Sequence, residues 1–323
     1  MFGRMPLFDL IVRSCMRVKP GQQVFILSDD YVRSIKISEQ VAETCELVGA
    51  EAIVAIMKRR TRQGHEPPPS IAVAMLEADV IFHVADTFDI VHTDARKKAT
   101  EKGILFVNAM SHLSEDYFSR EISLDDMKLM KERSERLAEI ASHSDEAKIT
   151  SPYGTDLKMS LKSRKGIPIH PLGSTVVTVP DYAEMAIAPV EGTTEGILVA
   201  DASVQTWNFV LREPIRLTIK KGKITGVMGP EDYVKRFNEL LTIDDNASNC
   251  ACELGIATGH TQDKDLQGWS WEYGLAGTAH IGLGRNNDIG GQTFSLLHKD
   301  VLITKPTVWL DDLCVLENGE LKV

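Results

Sequence analysis

The feature that most constrains the fold is a rhythm in the first third of the chain, where short apolar runs alternate with helical patterns. Residues 23–27, 52–57, 80–84 and 104–107 are apolar at successive positions apart from Gln23 and His83, and too short for buried helices. A strand that is apolar on both faces belongs in a parallel sheet covered on both sides. Between these runs, helices are predicted over 35–48, with Gly49 as C-cap, over 70–77 after a Pro-rich turn at 67–69, and over 94–102, stopped by Gly103. Strands alternating with helices predict an open α/β domain. A charged helix over 123–143, with Met127, Met130, Leu137 and Ile140 on one stripe, closes that domain or bridges onward.

From Ala147 the texture changes. Residues 156–161 and 215–219 alternate polar and apolar, as half-buried antiparallel strands do, and Lys221–Gly222–Lys223 reads as a hairpin turn. One helix, predicted over 230–241, interrupts this β-rich half. A chain of 323 residues exceeds what one core usually fills. The expected organisation is therefore α/β, with an open parallel-sheet domain over 1–145 followed by a β-rich α+β domain over 146–323.

Composition narrows the function. The formal net charge of −10 argues against nucleic acid, whose phosphates need clustered Lys and Arg. No apolar run approaches the roughly 20 residues that span a bilayer, and Asp9 and Arg13 interrupt the first stretch before a signal-peptide core forms. A cytoplasmic chain without membrane or nucleic-acid partners is expected. Cys15, Cys45, Cys250, Cys252 and Cys314 are scattered, and the one-residue gap between Cys250 and Cys252 is not a zinc spacing. They read as reduced, mostly buried thiols.

The chemistry lies in polar residues set among apolar ones. In LHKDVLI (297–303), a strand would project His298 and Asp300 from one face as a pair of metal ligands, or as a hydrogen-bonded pair at a sheet surface. In GTAHIGLG (277–284), His280 sits among small residues and glycines, and alone it reads as a satisfied core histidine more readily than as a ligand. Glu253 and Glu184 each lie in apolar strand-like segments, where a carboxylate is costly unless paired, protonated or metal-bound. Taken together, these ligand types in glycine-bearing apolar surroundings point to a metal centre. Asp86, His92, Thr93 and Arg96 follow the third predicted strand, where open α/β sheets bind ligands; the alternative is a helix start with Thr93 as cap and Arg96 solvated. Trp269, Trp271 and Tyr273 line a pocket or form a packed patch.

These stretches resemble the aminopeptidase T family of metallopeptidases. The resemblance runs through 179–192 with Glu184, ELGI (253–256), GTAHIGLG (277–284), Gly290–Gly291 and His298–Lys299–Asp300, and more loosely through Glu66 to Pro68 and 91–96. It implies two divalent cations (Zn, Co or Mn) held by Glu184, Glu253, His280, His298 and Asp300, with Glu253 and His280 in catalytic roles. It implies a hydrolase attacking an amide near a free amino terminus, a small peptide or small-molecule amide as substrate, and a homodimer. The sequence departs from the family where a tyrosine is expected near Asn287, and the nearest candidate for a separate catalytic glutamate, Glu272, reads as exposed. The chain also resembles the related 2,5-dihydroxypyridine 5,6-dioxygenases in length and around Ile224–Gly226. That resemblance implies one Fe(II) held by two histidines and an aspartate, opening a hydroxylated pyridine-type ring. His298 and Asp300 match that set, Glu253 stands where the other histidine falls, and His260 offers a substitute.

Overall fold

The apolar runs of the first third form a parallel sheet in the computed structural model, which describes residues 7–60, 64–85, 90–109, 122–180, 182–250, 252–260 and 266–323. Its strands are β1 (Gln23–Asp29), β2 (Glu51–Met57), β3 (Val80–Val84) and β4 (Leu105–Ala109). A later short strand, β8 (Val176–Thr178), adds beside β4, giving the order β2-β1-β3-β4-β8. Strand parity sorts the side chains cleanly. Val24, Ile26, Phe82, Leu105 and Val107 join one apolar cluster with Ile37, Val41 and Cys45 of the helix Val32–Val48. Phe25, Leu27, Ile81 and Phe106 join the other, with Met75, Ala95 and Ala99 of the helices Pro69–Met75 and Asp94–Glu101. Both faces are thus covered, as a parallel sheet requires. Gly49 ends the first of these helices at φ 91°, and Thr93 caps the third by accepting from the Arg96 amide at 3.2 Å. Arg96 is not solvated: it is buried, and its Nε donates to the Val91 carbonyl at 2.5 Å.

The remaining strands build two antiparallel sheets. One contains β5 (Glu146–Thr150), β6 (Asp156–Ser160), β10 (Glu195–Ala200), β11 (Ile215–Lys220), β12 (Lys223–Met228), β16 (Thr307–Leu310), β17 (Leu313–Glu317) and β18 (Glu320–Leu321). Their order is β12-β11-β10-β6-β5-β16-β17-β18. The β11–β12 hairpin turns on Lys221 and Gly222, both at positive φ (48° and 68°), the torsions of a two-residue turn that follows strand twist. The other sheet has the order β15-β14-β13-β9-β7, from β7 (Ile167–Ile169), β9 (Glu184–Ile187), β13 (Glu253–Ala257), β14 (Thr278–Gly284) and β15 (His298–Thr304). These two sheets share one core: Ile149, Leu157, Leu198 and Leu217 from the first meet Met185, Leu254, Ile281 and Val301 from the second. Phe237 of the helix Glu231–Leu241 completes it.

Contacts divide the chain into two units, residues 1–131 with 169–182, and residues 132–168 with 183–323. The linear division at 145/146 read from the sequence has no place for the returning segment that carries β8. Among the described residues, no helix is long and apolar enough to cross a membrane.

Candidate metal centre

The sheet of β9, β13, β14 and β15 separates two chemistries by strand parity. Leu254, Ile256, Ala279, Ile281, Leu283, Val301 and Ile303 face the core. Residues one position away face the opposite side, and antiparallel registry brings them side by side: Glu253 opposite Gly282, Gly255 opposite His280, Ala257 opposite Glu184, Gly282 opposite Asp300, and Gly284 opposite His298. All five residues expected as metal ligands therefore project from one face of one sheet, and all are buried.

The glycines between them make that possible. A Cβ on Gly255 would stand 2.0 Å from His280 Nε2, and one on Gly282 would stand 2.8 Å from the Glu253 Cβ and 3.1 Å from Asp300 Oδ1. The His280 ring lies in the space left by Gly255, and the carboxylates of Glu253 and Asp300 flank Gly282. Any side chain at either position would fill the cradle.

The polar atoms gather into two groups that share a member. His280 Nε2 lies 3.2 Å from Glu184 Oε2 and 3.9 Å from Glu253 Oε1. His298 Nε2 lies 3.3 Å from Glu253 Oε2 and 3.4 Å from Asp300 Oδ1. In each group, Glu184–Glu253–His280 and Glu253–His298–Asp300, the potential ligand atoms fall within 4.8 Å of one another. The two oxygens of Glu253 point to different histidines, the arrangement of a bridging carboxylate.

Electrostatics match this geometry. Burial pushes the Glu253 carboxyl up, but hydrogen bonds from His280 and His298 outweigh it and hold the group well below the usual carboxylate range. Burial disfavours a charged His280, yet the carboxylates of Glu184 and Glu253 raise it to about 9. His298 is raised too, against burial, by the groups around it, including Asp300. A buried cluster whose three carboxylates stabilise positive charge on both its imidazoles is electrostatically suited to cations.

A supporting layer orients the ligands. His298 Nδ1 is 3.0 Å from the Arg285 carbonyl, which takes its N–H and leaves Nε2 directed at the carboxylates. The Cys252 thiol, which burial pushes up to about 12 and so keeps protonated, donates to the same carbonyl. Tyr273 packs edge-on against the His280 ring at 5.6 Å between centroids, and its hydroxyl pairs with Ser203 at 3.0 Å. The connection between β14 and β15 is pinned by Glu191, which accepts from Asn286 Nδ2 at 2.8 Å and the Gln292 amide at 2.7 Å and pairs with Arg164. Asp244 holds its far end through Ser295 Oγ at 2.9 Å and the Leu296 amide.

Two sequence readings change here, and a third is not reached. Glu272 is buried, not exposed, and its carboxylate accepts from the amides of Gln267, Gly268 and Trp269 at 2.6, 2.9 and 3.1 Å. It caps a loop and is not poised as a catalytic base. His260 belongs to neither ligand group among the described residues. Asp86 lies outside the described residues. The roles of Cys252 and the Arg285 carbonyl were not legible in the sequence; the only local signal was the adjacency of Cys252 to Glu253.

No curated protein matches the chain. Among solved structures, the 2,5-dihydroxypyridine dioxygenase of Pseudomonas putida KT2440 superposes with a TM-score of 0.78 at 17% identity, covering 98% of this chain and 95% of that one. Wild-type AmpT of Thermus thermophilus gives a TM-score of 0.69 at 16% identity, covering 98% of each chain. At these identities the likeness is one of fold, and it bears out the expected architecture of a parallel-sheet domain followed by a β-rich one. The family model for 2,5-dihydroxypyridine 5,6-dioxygenase matches residues 5–255, a span that includes Glu184 and Glu253 and stops before His280, His298 and Asp300. The sequence reading set this family second, behind aminopeptidase T, and the comparisons reverse that order. On the extent of that match, the chain belongs to the 2,5-dihydroxypyridine 5,6-dioxygenase family.

Proposed function

We propose that the chain is a metal-dependent dioxygenase that opens a hydroxylated nitrogen-containing aromatic ring, with one Fe(II) held by His298, Asp300 and Glu253. The observation that carries this reading is the family match over most of the chain. The ligand group fits it in part: it offers one imidazole and two carboxylates on one side, where the resembling enzymes use two histidines and one aspartate. Iron bound there would supply open coordination positions for a ring hydroxyl and dioxygen. The protein's own part is orientation and exclusion of water. The Arg285 carbonyl fixes the His298 tautomer, Gly282 lets Glu253 and Asp300 converge, and the buried walls around Tyr273 keep the site dry.

A second reading rests on a specific observation, the additional group Glu184–Glu253–His280. Two divalent cations sharing Glu253 would supply a water acidified for attack on an amide carbonyl, the chemistry implied by the aminopeptidase T resemblance. In that reading Glu253 would contribute to both cation positions, with His280 and Glu184 completing one and His298 and Asp300 the other. The substrate would be a small peptide or amide with a free amino group.

One experiment separates the two. Protein purified without chelator is loaded anaerobically with Fe(II), or with Zn, Co or Mn, and given 2,5-dihydroxypyridine or a panel of aminoacyl amides. Oxygen consumption with the iron form and the pyridine supports ring opening. Amine release with no oxygen consumption in any metal form overturns it in favour of the hydrolase.

A further inference from the structure

Strand β2 is the edge of the parallel sheet, and it lacks the features that normally protect an edge. Among the described residues no strand pairs with its outer side. The Glu51 amide donates to the Gln22 carbonyl at 2.8 Å, so the backbone groups of the odd-numbered residues point inward to β1. Those of Ala52, Val54 and Ile56 consequently point outward. The strand is also apolar where it is exposed: Ile53 is 45% exposed, Val54 37% and Ile56 52%. Leu47 and Val73 on the flanking helices are exposed as well, and a groove of about 180 Å³ lined by Gln23, Phe25, Ile53, Ala74, Glu77 and Ala78 opens beside the strand. No proline, bulge or charge interrupts 52–57, although exposed edges are ordinarily blunted in one of these ways. An edge of this kind is stable in solution when something covers it.

The charges at its two ends say what. Glu51 opens the strand and Lys58–Arg59–Arg60 follow it. A second β2 laid alongside in parallel would bring like charges together at both ends. Laid antiparallel, it brings Glu51 of each copy toward the basic end of the other. The outward-facing residues are themselves symmetric about Val54. Antiparallel pairing about that residue sets Val54 against its own copy and Ala52 against Ile56, each pair exchanging backbone hydrogen bonds. A two-fold contact of this type is self-complementary and closed, so it ends at two chains. We infer that β2 is a homodimer interface, in which the exposed edges of two copies of this chain pair antiparallel about Val54 into one continuous sheet.

The test uses the full chain and three variants. Val54→Pro removes an amide that points away from β1, so the sheet itself keeps its hydrogen bonds. Ile56→Lys places a charge on the covered surface and serves if the proline variant unfolds. Val54→Cys, in a Cys314→Ser background, is treated with a short bismaleimide. Sedimentation should give a dimer for the wild type and the monomer mass for Val54→Pro and Ile56→Lys, with melting curves close to wild type. The cysteine variant should give a covalent dimer that Leu313→Cys in the same background does not. A monomeric wild type overturns the inference. So does a dimer that survives both substitutions and leaves Val54→Cys uncrosslinked.

Discussion

The parallel sheet of the first unit and the β9–β15 sheet of the second both have five strands, yet they distribute polarity in opposite ways. In the parallel sheet, consecutive residues of β1, β3 and β4 enter two different apolar clusters, and the sheet is a partition between them. In the antiparallel sheet, one face is apolar apart from Lys299, whose ammonium donates to the Thr206 hydroxyl, and the other carries three carboxylates and two imidazoles over two glycines. The first arrangement is governed mainly by apolar burial, with a buried His83–Asn108 pair at 3.0 Å between β3 and β4, and tolerates exchange of one aliphatic residue for another. The second places charged groups out of water, where each depends on its neighbours or a cation to remain stable. Stability and chemistry therefore respond to different substitutions, and this contrast can be broken by experiment.

The largest expected effect is loss of the metal. Asp300→Ala or His298→Ala should weaken metal binding well beyond the ~10–100-fold that outer partners cost, and abolish activity while the fold is retained. Elemental analysis with circular dichroism checks both, and full metal retention in both variants breaks the contrast. Phe106→Ala, in the parallel sheet, should cost about 3–5 kcal/mol in denaturant unfolding with metal per chain unchanged. Gly255→Ala should cost about 1–3 kcal/mol, because its Cβ collides with His280; binding at the Glu184–Glu253–His280 group should fall more than at Glu253–His298–Asp300, which separates the two groups.

The next effect is pH dependence. With His280 raised to about 9, its ring must lose a proton to act as a ligand, so metal affinity should fall as pH drops below that value. Each proton displaced contributes up to ~10-fold per pH unit, measurable by metal titration across the range 6 to about 9. An affinity flat over that range would mean that neither imidazole binds metal. Tyr273→Phe, which loses the Ser203 hydrogen bond and a longer one to the Asp300 carbonyl at 3.4 Å, should cost about 0.5–1.5 kcal/mol and leave metal content intact, as read by thermal unfolding with elemental analysis.

The same contrast explains what could be read in advance. The parallel strands were legible because a run apolar at every position has few alternatives, and the helices between them carried their own stop signals in Gly49 and Gly103. The site was legible as residues out of place: Glu184, Glu253 and His280 are polar in segments otherwise fit for a core. What the sequence could not supply was pairing. Nothing local says that Ala257 sits opposite Glu184, that Gly255 is hollowed for a histidine 25 residues later, or that 176–178 returns to extend the first sheet. Glu272 was misread for the same reason, because its three amide partners are set by a turn rather than by composition. The family, too, was read with its two branches in the other order, because by resemblance His298 and Asp300 fit both and pattern alone does not rank the two.

The most direct test of the central claim, that the polar face of this sheet is a metal centre organised around Glu253, is anomalous diffraction from crystals of metal-loaded protein. The expected result is an anomalous peak bounded by Glu253, His298 and Asp300, with any second peak between Glu253, Glu184 and His280. A bound metal found away from Glu253, or no peak on this face in protein that elemental analysis shows to be loaded, would contradict it.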